Sequence, residues 1–259
     1  MNLMSITSKA PMPSRHHVAL HLAHRWFAFL EAAGGDLATH LAIFNPQVRL
    51  TGSLARHLFA NDHASLKAWF AAVPDEVSSH HILHSTYSTT NEGRVDGHGL
   101  LDMVIAYQSP AGSSMHGSII SYQTRVEFTP EGARFIALDK TPILGNTRAD
   151  YQTSWATNRV LALVHAALGG IKGSDGRLST ALGDNVHHVA ACATALEASS
   201  RYDAVVTCSG GNPAEIRVLH LMLKDDGKSG MPQIEAISPL TTAASNLPPR
   251  PFVVAPYDH

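Results

Sequence analysis

Imidazoles dominate the reactive side chains of this chain, which has 17 histidines, twelve of them before residue 150. An unperturbed imidazole titrates near pH 6.5, so in a pocket it can give or take a proton at neutral pH. Two of them, His80 and His84, stand in SHHILHSTYST, whose pattern predicts a strand from Ser79 to Thr89. Side chains alternate along a strand, so His80, Ile82, His84 and Thr86 are expected on one face. Two such rings can reach opposite sides of a small substrate. One abstracts a proton while the other polarises a carbonyl or protonates a leaving oxygen. Asp102, about central on the next strand, can orient an imidazole or act as a base once buried. His116 and Tyr122, on the strand after that, can donate hydrogen bonds to a developing enolate. His57, in the loop Gly52–Ala60, can reach a pocket mouth. The competing reading has histidines satisfied in a core or exposed at strand ends, an outward Asp102, an edge His116, a half-buried Tyr122 and a solvated His57.

Other chemistries find no support in the spacing. His80 and His81 point to opposite faces and cannot both serve one ion, and neither HExxH nor paired cysteines occur, so no metal is expected. His17, His21 and His24 have helical spacing, which fits a metal or the polar border of a helix, the second being the simpler account. No Gly-x-Ser-x-Gly elbow, phosphate-cradling loop or dinucleotide fingerprint is present, and no cofactor is expected. Cys192 and Cys208 read as small apolar residues.

These side chains require a framework. Ser14 can cap a helix over about 15 to 33, with Val18, Leu22, Trp26, Phe29, Leu30 and Ala33 as its apolar stripe. Gly34-Gly35 ends it, and Asp36 caps a second helix through about Phe44. Asn45-Pro46 breaks that helix, and a strand begins at Val48. Asp62 or Asn61 caps a third helix, Ala64–Val73, with Leu66, Trp69 and Phe70 inward. Strands Ser79–Thr89, Arg94–Gln108 and Ser114–Phe128 then form an antiparallel meander, followed by Ala133–Asp139. Early helices therefore cover one face of a curved antiparallel sheet, an α+β arrangement.

The helix leading into GGDLATHLAIFNPQVRLTG, the capped NDHASLKAWFAAV and the HHILH that opens the meander resemble the nuclear transport factor 2-like superfamily, particularly its SnoaL-like branch. In that branch a His is often followed four residues later by Asn; here His80 and His84 keep the spacing, with His in the Asn position. The resemblance implies a cone-shaped, cystatin-like fold with a pocket between helices and sheet. Its members include polyketide cyclases, dehydratases, ketosteroid isomerases, epoxide hydrolases and non-catalytic association modules, so the site must decide the function.

The remaining chain reads as a shortened second copy. RVLALVHAALGG at 159–170 can be laid on RWFAFLEAAGG at 25–35 with one inserted residue, Leu178, Thr180 and Leu182 echo Leu37, Thr39 and Leu41, and Asn185-Val186 resembles the exit into the first strand. Strands are expected at Tyr202–Cys208, Glu215–Lys224 and Gln233–Ile237. The organisation expected is a tail over 1–14, a SnoaL-like unit over 15–144, a linker over 145–153, a degenerate unit over 154–244 and a Pro-rich tail over 245–259.

With 44% hydrophobic and 15% charged residues and a formal charge of −2, the composition is that of a globular protein without a basic patch, which argues against nucleic acid and acidic membrane surfaces. No apolar run is long enough for a membrane span, so a cytoplasmic location is expected. The expected function is acid–base catalysis of the cyclase, dehydratase or isomerase type on a small apolar oxygenated molecule. Its alternative is a ligand-binding or association module, pairing within the chain as a pseudo-dimer or with a second copy through the sheet face.

Overall fold

The computed structural model describes residues 14–31, 36–72, 78–89, 97–111, 114–146, 155–195, 200–210, 215–225 and 231–240. Within them lie five helices and ten strands in an α+β arrangement of two curved sheets. The tails and most of the expected linker fall outside the described residues.

The first helix, α1 (Arg15–Glu31), starts where expected, with Val18 N donating to Ser14 O. Asp36 caps α2 (Leu37–Leu41), its carboxylate accepting from Ala38 N and Thr39 N. That helix is shorter than the sequence implied, and β1 (Phe44–Gly52) already begins at Phe44. The expected loop at 52–60 is instead a hairpin. Ser53, Leu54 and Ala55 all have positive φ, which costs about 1–2 kcal/mol per residue away from glycine. Three donations hold them: Ser53 N to Lys140 O, Leu54 N to Thr141 Oγ1 and Ala55 N to Asp139 Oδ2. The chain then returns as β2 (His57–Ala60). Asp62 caps α3 (His63–Ala72) by accepting from Ser65 N at 2.7 Å.

The meander follows as β3 (Ser79–Thr89), β4 (Gly97–Ala111), β5 (Ser114–Thr129) and β6 (Gly132–Asn146), with β6 running seven residues beyond the expected Asp139. Each pairs antiparallel with the next, and β1 adds parallel to β6, so the six-stranded order is β2-β1-β6-β5-β4-β3. Trp26 and Phe27 on α1 pack over the sheet residues Leu101, Met103, Ile105 and Tyr122 in one apolar core. Gly99 is needed where it stands, because the Tyr87 ring lies where its Cβ would go.

The second half begins with α4 (Trp155–Leu168) and α5 (Gly176–Leu182), the latter capped by Asp175. Four antiparallel strands follow: β7 (Val186–Ala195), β8 (Arg201–Gly210), β9 (Glu215–Lys224) and β10 (Gln233–Pro239). They make a separate sheet in the order β10-β9-β8-β7, with its own core around Val160, Val164, Tyr202, Val206 and Leu221. The two halves meet where α1 lies along α4. Among the described residues no helix is long and apolar enough to cross a membrane.

Candidate functional site

A β-bulge between Ile82 and His84 decides the fate of the expected pair. An extra residue in one strand reverses the alternation beyond it. His80 points inward and is 3% exposed, Leu83 is 59% exposed, and His84 is turned to solvent. The expectation that His80, His84 and Thr86 share a face is therefore corrected: Thr86 is exposed too, and Ser85, Tyr87 and Thr89 are the more covered positions. Asp102 pairs with Thr86 and is also exposed, while its neighbours Leu101 and Met103 fill the core.

The other expected residues are spread across the sheet. His57 is exposed on β2, at the opposite edge from the His80 strand, because β2 and β3 flank the sheet. His116 lies on β5, with its side chain outside the described residues. Tyr122 is buried against Phe27, ring centroids 5.5 Å apart in an edge contact, and burial raises its phenol well above the ordinary value. It stays a neutral hydroxyl at every physiological pH.

What His80 meets is a set of residues that spacing did not single out. The carboxylate of Glu31 accepts from His80 N at 2.5 Å and lies 3.3 Å from His80 Nδ1. Phe27 stacks on the ring at 4.9 Å, and Tyr107 tilts against it at 5.1 Å. Asn158 arrives from α4: its Nδ2 donates to both Glu31 oxygens at 3.1 Å and to His80 O at 2.9 Å. Its Oδ1 accepts from His24 Nδ1 at 2.7 Å, which fixes the proton of His24 on Nδ1.

A signal for Glu31 was available. A carboxylate in the last turn of a helix opposes the macrodipole, which favours cations there. The structure resolves the conflict. His17 meets His165, His21 meets Ala162 and His24 meets Asn158, so α1 and α4 run antiparallel. Glu31 thus lies beside the first turn of α4, where the dipole welcomes a negative charge.

The same helix pair corrects the reading of His17, His21 and His24 as a polar border. All three are buried between α1 and α4. His21 Nδ1 bonds Ala162 O at 2.7 Å, and His17 Nε2 reaches Val186 O at 3.2 Å. His165 stacks between His17 and His24, with centroids at 5.1 and 5.3 Å. Burial pushes His21 and His24 down to about 4 and His165 well below its ordinary value. Neutral rings can stack and exchange single hydrogen bonds without a counter-ion. Among the described residues no group of three or more His, Cys, Asp or Glu is arranged to hold a metal.

The arrangement therefore contains one carboxylate–imidazole pair, walled by Phe27 and Tyr107 and closed on its far side by Asn158. A carboxylate at Nδ1 fixes the tautomer in which Nε2 carries the lone pair, which is the form of a general base.

No protein-family model matches the sequence, and no curated protein matches it. Among solved structures, the chain is similar to a putative scytalone dehydratase of Novosphingobium aromaticivorans, at 10% identity and a TM-score of 0.42, over 54% of this chain and 91% of that one. A hexachlorocyclohexane dehydrochlorinase of Novosphingobium barchaimii matches at 11% identity and 0.42, over 53% and 92%. A putative calcium/calmodulin-dependent protein kinase II association domain of Xanthomonas campestris matches at 14% identity and 0.40, over 54% and 98%.

Proposed function

We propose that the chain performs cofactor-independent acid–base chemistry, elimination of water or isomerisation, on a small, largely apolar, oxygenated molecule, with His80 as the general base. The observation that carries this reading is the buried Glu31 carboxylate 3.3 Å from His80 Nδ1. In the elimination, His80 Nε2 takes a proton from the carbon beside a carbonyl, and the C–H electron pair becomes the new double bond. The neighbouring C–O bond breaks, and the imidazolium returns its proton to the departing oxygen, so that water leaves and the base is regenerated. Phe27 and Tyr107 supply the apolar wall, and the neutral hydroxyl of Tyr122 is a donor for the substrate carbonyl. His84 and Asp102, on the outer face, take no part.

A second reading rests on the helix pair. Laying 159–170 on 25–35 puts His165 at the position of Glu31 and Asn158 at that of His24. The contact of Glu31 with Asn158 then has its counterpart in the stacking of His165 on His24, and the pair His24–Asn158 maps onto itself. Reciprocal contacts of this kind are those of a two-fold interface. They support a shortened second copy docked as a built-in pseudo-dimer, and an association module needs no more than that.

The opening of 5-nitrobenzisoxazole, a one-step proton abstraction from carbon, separates the two. The purified full chain is expected to accelerate it, and His80→Ala to lower the rate by about 10²–10⁴-fold while keeping its thermal transition. Equal rates for the two proteins would remove the catalytic reading and leave the association module.

A further inference from the structure

We infer that Asn158 of the second half is a positioning residue for the base of the first, so that one site is assembled from both units. The inference rests on the reading of His80 as general base and adds to it a role for the second unit. Three observations carry it. Asn158 is 2% exposed, and its Nδ2 donates to Glu31 Oε1, Glu31 Oε2 and His80 O at 2.9–3.1 Å. Both carboxylate oxygens and the backbone of the base are thereby tied to one amide. The amide cannot turn over, because a flipped amide would set its Oδ1 against the Glu31 carboxylate and the His80 carbonyl, acceptor against acceptor. Finally, α1 and the first sheet supply Glu31 and His80, while this amide comes from the first turn of α4, more than 70 residues further along the chain.

The physical consequence concerns freedom of rotation. A glutamate side chain has three rotatable bonds, and each donor on its carboxylate narrows the swing away from the imidazole it orients. The amide spans both oxygens and restrains that motion. Asn158 thus acts through Glu31 on the tautomer of His80, at second hand from any substrate.

The same interface contains an internal control. His21 bonds Ala162 O between the same two helices and, among the described residues, makes no hydrogen bond to Glu31 or His80. Loss of His21 loosens the helix pair without releasing the carboxylate.

The experiment uses the full chain with ¹⁵N-labelled histidine and reads the His80 ring by long-range ¹H–¹⁵N correlation, alongside kcat and KM for 5-nitrobenzisoxazole. The variants are N158L and H21L. Wild type is expected to show His80 as a single tautomer protonated on Nδ1. N158L is expected to show a tautomer mixture and a roughly tenfold fall in kcat at little changed KM, whereas H21L leaves the His80 signal and kcat as they were. If N158L does not fold, both readings are taken on N158S, whose smaller side chain leaves room for water in place of the amide donors. An unaltered His80 tautomer in the Asn158 variant, or an equal disturbance in H21L, overturns the inference. If wild type does not turn over the probe, the proposed catalysis fails, yet the tautomer signal still decides whether Asn158 positions the ring.

Discussion

At each end of the α1–α4 helix pair a last-turn residue of one helix meets a first-turn residue of the other, with different chemistry at the two ends. At one end Glu31, in the last turn of α1, meets Asn158 in the first turn of α4 and holds His80. At the other, His165 in the last turn of α4 meets His17 near the start of α1, with Nδ1 atoms 3.0 Å apart. The first end carries a carboxylate that accepts from His80 N and Asn158 Nδ2 and faces His80 Nδ1. The second carries only rings that burial keeps neutral, so one shared proton between His17 and His165 satisfies both. The two ends of the helix pair therefore differ in charge, with a carboxylate at one and only neutral rings at the other.

Removing each last-turn residue gives the sharpest contrast. Glu31→Leu removes a buried acceptor shared by the Asn158 amide and the His80 backbone N–H, at about 1–3 kcal/mol for each donor, and is expected to cost about 2–6 kcal/mol. His165→Leu leaves a single neutral ring nitrogen of His17 without its partner and is expected to cost about 1–3 kcal/mol. Urea denaturation of both variants measures the gap, and equal losses would erase the distinction.

A pH titration of stability comes next in size and belongs to the histidine end. The unfolded chain protonates these rings near pH 6.5, whereas folded His21 and His24 do so only near 4. Between those values the unfolded state binds more protons, so stability is fully present above about pH 6.5, falls with pH and levels off below about 4. A pKa moved that far corresponds to at most about 3 kcal/mol for each ring. His21→Leu should flatten the slope, and an unchanged slope would mean that the buried rings are already charged.

The smallest effects are expected outside the helix pair. His84→Ala and Asp102→Ala alter exposed side chains on the outer face and should shift stability by no more than about 0.5 kcal/mol. Turnover of 5-nitrobenzisoxazole should be unchanged in both. A loss as large as that of His80→Ala would return the site to the outer face.

How much was legible depended on how local the cause was. Asp36 and Asp62 announced their helices through caps, and the apolar runs with NEG and SPAG breaks announced the meander. The α4 helix runs over the residues its periodicity indicated. The hairpin at 53–56 was hidden because its three positive-φ residues are Ser, Leu and Ala, which carry no turn signal of their own. They are held by Asp139, Lys140 and Thr141, far along the chain. At the site, His80 was legible as an ionisable group on an inward strand, but Glu31 and Asn158 were not, since each gains its meaning from the other.

The amino-acid sequence by itself determined the helices α1, α3 and α4, the antiparallel meander and the concentration of imidazoles in the first half, because caps, turns and period-two patterns act over a few residues. Only the tertiary structure decided which imidazoles are buried and what they touch. One bulge in β3 turned His84 outward while His80 stayed inside, and the approach of α4 made an interior out of the helix face that carries His17, His21 and His24. Side-chain phase and helix burial both depend on partners distant in the chain, and no local pattern records them.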